Sequence, residues 1–105
     1  MGNANCGSFA CDLLAFDAAE RDRHRELLQR LRTDESEVIE FQDGYRFRMN
    51  GGRVSFRDAA EWVDLERRCC PFLVFDLQIE GGQNAFTLSV SGPAGVKHFI
   101  DSELR

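Results

Sequence analysis

The sequence predicts an α+β fold in two layers, a four-stranded, mainly antiparallel sheet with helices on one face, in the order αββαββα. Three observations predict it. Residues 45–49 and 73–90 alternate apolar and polar side chains beside glycine-containing turns, the pattern of hairpins with one wet face. Residues 24–31, 59–69 and 96–104 instead repeat their apolar residues at helical spacing. Each hairpin follows a helical stretch, which favours helices gathered on one side of one sheet.

The 105 residues are the size of a single domain, with residues 1–10 as a loose polar tail. Asp17 and Glu20 form a capping box that starts the first helix. His24, Leu27, Leu28 and Leu31 lie on its apolar face, and it is expected to end near Thr33. Strands 38–41 and 45–49 flank the turn Gln42-Asp43-Gly44. Ser55 and Asp58 cap the second helix, with Val54 and Ala59 as a hydrophobic staple. Trp62, Val63, Leu65 and Cys69 continue its apolar side. Pro71 disfavours helical geometry at Cys70 and stops it. Leu73, Phe75, Leu77 and Ile79 form the third strand, residues 81–84 turn, and Phe86, Leu88 and Val90 form the fourth. Gly92-Pro93 is expected to open the third helix, with Val96, Phe99, Ile100 and Leu104 as its buried stripe. Arg46, Arg48, Asp76, Gln78, Glu80, Thr87 and Ser89 then line the far face of the sheet, open to water or to a second subunit, so a homodimer is one expected assembly.

A formal net charge of −5 gives no general attraction for phosphate backbones or anionic lipid. Nucleic acid and membrane are therefore not expected partners. No apolar run reaches the roughly 20 residues of a membrane span, and residues 1–11 lack the pattern of a secretory signal. The expected location is the cytoplasm, where the four cysteines are expected as thiols. A bond between Cys69 and Cys70 is disfavoured further, because adjacent Cα atoms lie about 3.8 Å apart and an unstrained disulfide needs about 5.5–6 Å.

Cys69-Cys70-Pro71 is the unusual feature. In a regular helix the two sulfurs diverge by about 100°. A proline that pulls Cys70 out of the helix lets both turn toward one point. Glu66, three and four residues earlier, shares that surface. Soft ions prefer thiolate ligands, which makes zinc or another soft metal ion the expected cofactor. Two thiolates do not complete a tetrahedral site. Cys11 is the expected third ligand, with His24 or Glu66 as a fourth and Cys6 a weaker candidate. A helix C-terminus and Glu66 oppose a thiolate, whereas Arg67 and Arg68 favour it.

Each feature also has an ordinary reading. Free cysteine packs as a small hydrophobe, and His24 on an apolar face fits a core imidazole bonded to a backbone carbonyl. His98, the Gly92-Pro93-Ala94-Gly95 segment, and the Arg46 and Arg48 pair read as surface, a helix start and a solvated strand face. No catalytic triad order, phosphate loop or dinucleotide fingerprint is present.

Three pieces, Ala10-Cys11-Asp12-Leu13, Glu66 to Phe72 (Glu-Arg-Arg-Cys-Cys-Pro-Phe), and Gly92-Pro93 with Gly95-Val96-Lys97, resemble a group of small uncharacterised bacterial proteins. The likeness spans about Cys11 to Ile100. It implies no catalytic residues, but it associates Cys11 rather than Cys6 with the thiol pair. The leading expectation is a thiol-site protein that binds a soft metal or metalloid ion through Cys11, Cys69 and Cys70, with His24 and Glu66 in support. Its alternatives are a cysteine-based redox enzyme or sensor, and a non-catalytic interaction module with cysteines as core.

Overall fold

The structure, a computed structural model, describes residues 12–105. It bears out the α+β order. A short 3-10 turn, Leu13–Ala15, precedes α1 (Ala18–Asp34), β1 (Glu35–Phe41), β2 (Gly44–Met49), α2 (Phe56–Cys69), β3 (Val74–Ile79), β4 (Phe86–Ser91) and α3 (Val96–Glu103). The strands form one antiparallel sheet in the order β1-β2-β4-β3. The two hairpins thus join through their second strands, and the first strand of each lies at an edge.

The register decides which residues face the helices. Val38, Phe47, Leu88 and Leu77 form one row across the sheet, and Tyr45, Val90 and Phe75 fall in the next. These side chains pack against Leu27, Leu31, Trp62, Leu65, Phe99 and Ile100 of the three helices. Arg46, Ser89 and Asp76 fall in register on the opposite face, as do Arg48, Thr87 and Gln78. Among the described residues no helix covers that face, in keeping with its polar alternation.

Both capping boxes form. Asp17 accepts from the Glu20 amide at 2.8 Å while Glu20 accepts from the Asp17 amide at 3.1 Å. Ser55 and Asp58 make the same exchange at 3.0 and 3.2 Å. Val54 and Ala59 are both buried, as a staple requires. Helix α2 ends at Cys69, and Cys70 leaves helical geometry at φ −129° and ψ 71°, the consequence of the proline that follows.

Three boundaries differ from expectation. Helix α1 runs directly into β1, so the strand starts at Glu35 and not at Val38. The reason is Asp34. Its carboxylate is buried and accepts from the amides of Gly51 (2.7 Å), Gly52 (3.2 Å) and Arg53 (3.1 Å), which pins the loop after β2 against the helix end. Gly51 fits there because its φ of 85° is left-handed and a Cβ would lie 2.1 Å from the Asn84 carbonyl oxygen. Helix α3 starts at Val96, not at Pro93, because Gly95 just before it takes φ 91° and interrupts the chain. Leu73 precedes β3 rather than opening it, held in a turn by the hydrogen bond its amide donates to the Cys70 carbonyl at 3.2 Å.

Candidate metal centre

The site lies where α1, α2 and the 3-10 turn meet. The segment before α1 crosses the end of α2: the Asp12 amide donates to the Cys69 carbonyl at 2.8 Å, satisfying one of the acceptors a helix C-terminus leaves open. Phe16 is buried beside it. Cys6 and Cys11 lie outside the described residues.

Helix α2 presents Glu66 and Cys69 inward, and neither has exposed surface. Helix α1 presents His24 opposite them. His24 Nε2 lies 2.6 Å from Glu66 Oε1, and the His24 side chain keeps 12% of its surface exposed. The Cys69 thiol donates toward the Glu66 backbone carbonyl at 3.4 Å and its carboxylate at 3.7 Å. One nitrogen, one oxygen and one sulfur therefore lie within 4.8 Å of one another. The ring of His24 is held by Phe16, 5.2 Å away between centroids, and stacks on Trp62 at 6.3 Å.

The two adjacent sulfurs do converge. Cys69 Sγ and Cys70 Sγ are 3.6 Å apart, and both residues are fully buried. Their states differ, however. Cys69 is a free thiol, whereas Cys70 is disulfide-bonded. Cys70 thus corrects the expectation that all four cysteines are thiols.

Electrostatics around Cys69 oppose the thiolate. Burial comes first, then the Glu66 charge and the hydrogen bond to it, and these push the thiol up to about 12. The two arginines expected to offset this are engaged elsewhere. Arg68 holds Glu20 at 2.6 Å and the Ala15 carbonyl at 3.1 Å, and Arg67 holds Asp64 at 2.9 Å. The Glu20 carboxyl is accordingly held below the usual carboxylate range, with Arg68 as the main cause.

His24, Glu66 and Cys69 are therefore brought together, and Cys70 adjoins them through sulfur. His24 bonds to a carboxylate, not to the backbone carbonyl of its ordinary reading. The burial of Glu66 had a sequence signal. It falls four residues after Trp62 and seven after Ala59, so an acid stands on the apolar stripe of α2. Phe16 carried no such signal, since it precedes the first helical period.

A cavity of about 210 Å³ opens beside the cluster, lined by Phe16, Arg21, His24, Arg25, Leu28, Glu66, Glu103 and Leu104. No described helix is long and apolar enough to cross a membrane. Comparison with family models, curated proteins and solved structures finds no match.

Proposed function

We propose that the protein binds a soft metal or metalloid ion at His24, Glu66 and Cys69. The observation that carries this reading is the convergence of one nitrogen, one oxygen and one sulfur donor within 4.8 Å, with Glu66 and Cys69 buried and His24 partly exposed. In a tetrahedral site with metal–ligand distances of about 2.0–2.3 Å, ligand atoms stand about 3.3–3.8 Å apart. The 3.7 Å between Cys69 Sγ and Glu66 Oε1 meets that already, and the 2.6 Å between His24 and Glu66 has only to widen. Three protein ligands leave one position open, the arrangement of sites that exchange a ligand.

A cation between these atoms removes the cause of the raised Cys69 pKa. It offsets the Glu66 charge and replaces the thiol proton, so binding releases a proton. Zinc, cadmium, mercury and trivalent arsenic all suit a thiolate-containing set. Reduction of the Cys70 disulfide would add a second sulfur at 3.6 Å from the first. Cys11 would be its companion in the thiol-rich form expected from the sequence.

The test is a calorimetric titration of the purified oxidised protein with Zn²⁺, Cd²⁺ and Hg²⁺ in buffers of different ionisation enthalpy. A saturable site with proton release is expected, abolished in Cys69→Ala and weakened in His24→Ala. No heat and no shift in melting with any of the three ions would remove the proposal.

One contact favours a second reading, redox exchange. The Cys69 sulfur stands 3.6 Å from a sulfur that is already in a disulfide. Its thiolate would attack Cys70 Sγ, forming a Cys69–Cys70 bond while the former partner of Cys70 leaves as a thiolate. The raised pKa of Cys69 and the strain of bridging adjacent residues both oppose this. Under a glutathione redox buffer it requires a Cys69–Cys70 disulfide detectable by peptide mass mapping, and the metal reading requires none.

A further inference from the structure

Two of the three residues of the proposed metal site, His24 and Glu66, also line the cavity between α1 and the last turn of α3. Its volume, about 210 Å³, exceeds the roughly 150 Å³ of an apolar protein cavity that takes up benzene. Such space is far more than an inorganic ion and one water require. Its apolar lining residues are Phe16, Leu28 and Leu104.

The charged residues of the lining do not make it an anion site. Arg21 donates to the Phe16 carbonyl at 3.2 Å, and Arg25 pairs with Asp22 at 3.3 Å. Glu103 adds an acid to the same lining. What remains is an apolar pocket whose lining includes His24 and Glu66, with the Cys69 sulfur behind them within 4.8 Å of their ligand atoms. An apolar group gains about 25 cal/mol for each Å² it removes from water, so a ligand joining a soft ion to a hydrocarbon is held at both ends.

From this juxtaposition we infer that the ion is taken as a monoorganyl cation, a soft metal or metalloid carrying one hydrocarbon substituent that occupies the Phe16–Leu28–Leu104 cavity. This inference rests on the metal reading above. On binding, a metal–sulfur bond forms at Cys69 as the thiol proton leaves to solvent. The metal–carbon bond stays intact, and His24 and Glu66 complete the coordination.

The test compares phenylmercury and methylmercury, each in competition with excess 2-mercaptoethanol, on the wild-type protein and on Leu28→Trp. The wild type is expected to prefer the phenyl compound by about tenfold, the value of roughly 1.4 kcal/mol of ring burial. Leu28→Trp plugs the cavity and is expected to erase that preference while Hg²⁺ binds as in the wild type. Thiols elsewhere in the chain contribute equally to both proteins and cancel. Leu28→Ala, which widens the cavity, provides an independent arm: it is expected to extend the preference to naphthylmercury. Should Leu28→Trp not fold, this arm decides alone, and an unchanged naphthyl affinity overturns the inference. Equal phenyl and methyl affinity in the wild type overturns it too, with the metal site left standing if Hg²⁺ still depends on Cys69. Failure of Hg²⁺ itself to bind at Cys69 removes both.

Discussion

Asp34 and Glu66 are the two buried carboxylates among the described residues, and they are satisfied in opposite ways. Asp34 accepts from three backbone amides in the loop after β2. Those donors are fixed by the chain, do not ionise in the ordinary pH range, and leave the carboxylate the role of holding the loop. Glu66 meets an imidazole and a thiol. Both are titratable, both are of the types that ligate metals, and both belong to side chains that can shift by a few tenths of an ångström. Burial alone therefore does not mark a site. The chemistry of the partners does.

The largest effect expected from breaking this contrast is on stability, at Asp34. Asp34→Ala strands three amides, each costing about 1–3 kcal/mol when left unsatisfied, and water reaching the loop recovers part of that. A loss of about 3 kcal/mol in urea denaturation is expected, with metal affinity of the folded protein unchanged. Glu66→Gln inverts the pattern. The amide fills the same volume and still meets His24, so stability changes by about 1 kcal/mol. Metal affinity falls by about 100-fold, the scale of losing a group that binds or orients at such sites. A titration of both variants checks the pair, and an equal metal defect in each would erase the distinction.

Cys69 sharpens the comparison through pH. Its thiol is raised from an ordinary 9.0 to about 12, so the folded state keeps a proton that the unfolded chain gives up. Its contribution to stability is thus fully present below about pH 9 and is lost as pH rises toward 12. Iodoacetamide labelling of the native protein is expected to be slow at pH 7 and to rise about tenfold per pH unit. Added Cd²⁺ is expected to suppress labelling further by occupying the sulfur. The smallest effect is expected at Ser55→Ala, which removes the cap of α2 far from the cluster and costs about 1 kcal/mol without altering metal binding.

Much of the fold was legible because each element carries its own punctuation. Asp17 with Glu20, Ser55 with Asp58, and Pro71 after Cys70 fix helix ends by local hydrogen bonds or sterics that need no tertiary partner. The errors fall where distant residues decide. Strand β1 begins at Glu35 and not at Val38 because Asp34, just before it, is held by amides 17 to 19 residues later. Gly95 displaces the start of α3 through a left-handed φ that composition does not reveal.

The candidate site was legible in kind but not in arrangement. His24, Glu66 and Cys69 stood out as residue types, yet their meeting depends on how α1 packs across α2. The sequence gives the helical phase of Glu66 but not the 2.6 Å contact with His24. The state of Cys70 was beyond reach for the same reason, since a disulfide is a statement about two places in space. The cavity is set by the approach of α1 to the end of α3, which no local pattern encodes.

X-ray absorption at the metal edge of the cadmium- or zinc-loaded oxidised protein tests the central claim most directly. A single sulfur at about 2.3 Å for zinc, accompanied by nitrogen and oxygen ligands and including imidazole scattering, is the expected shell, with the sulfur lost in Cys69→Ala. A shell of oxygen ligands alone, unchanged by substitution of Cys69, His24 and Glu66, would contradict it.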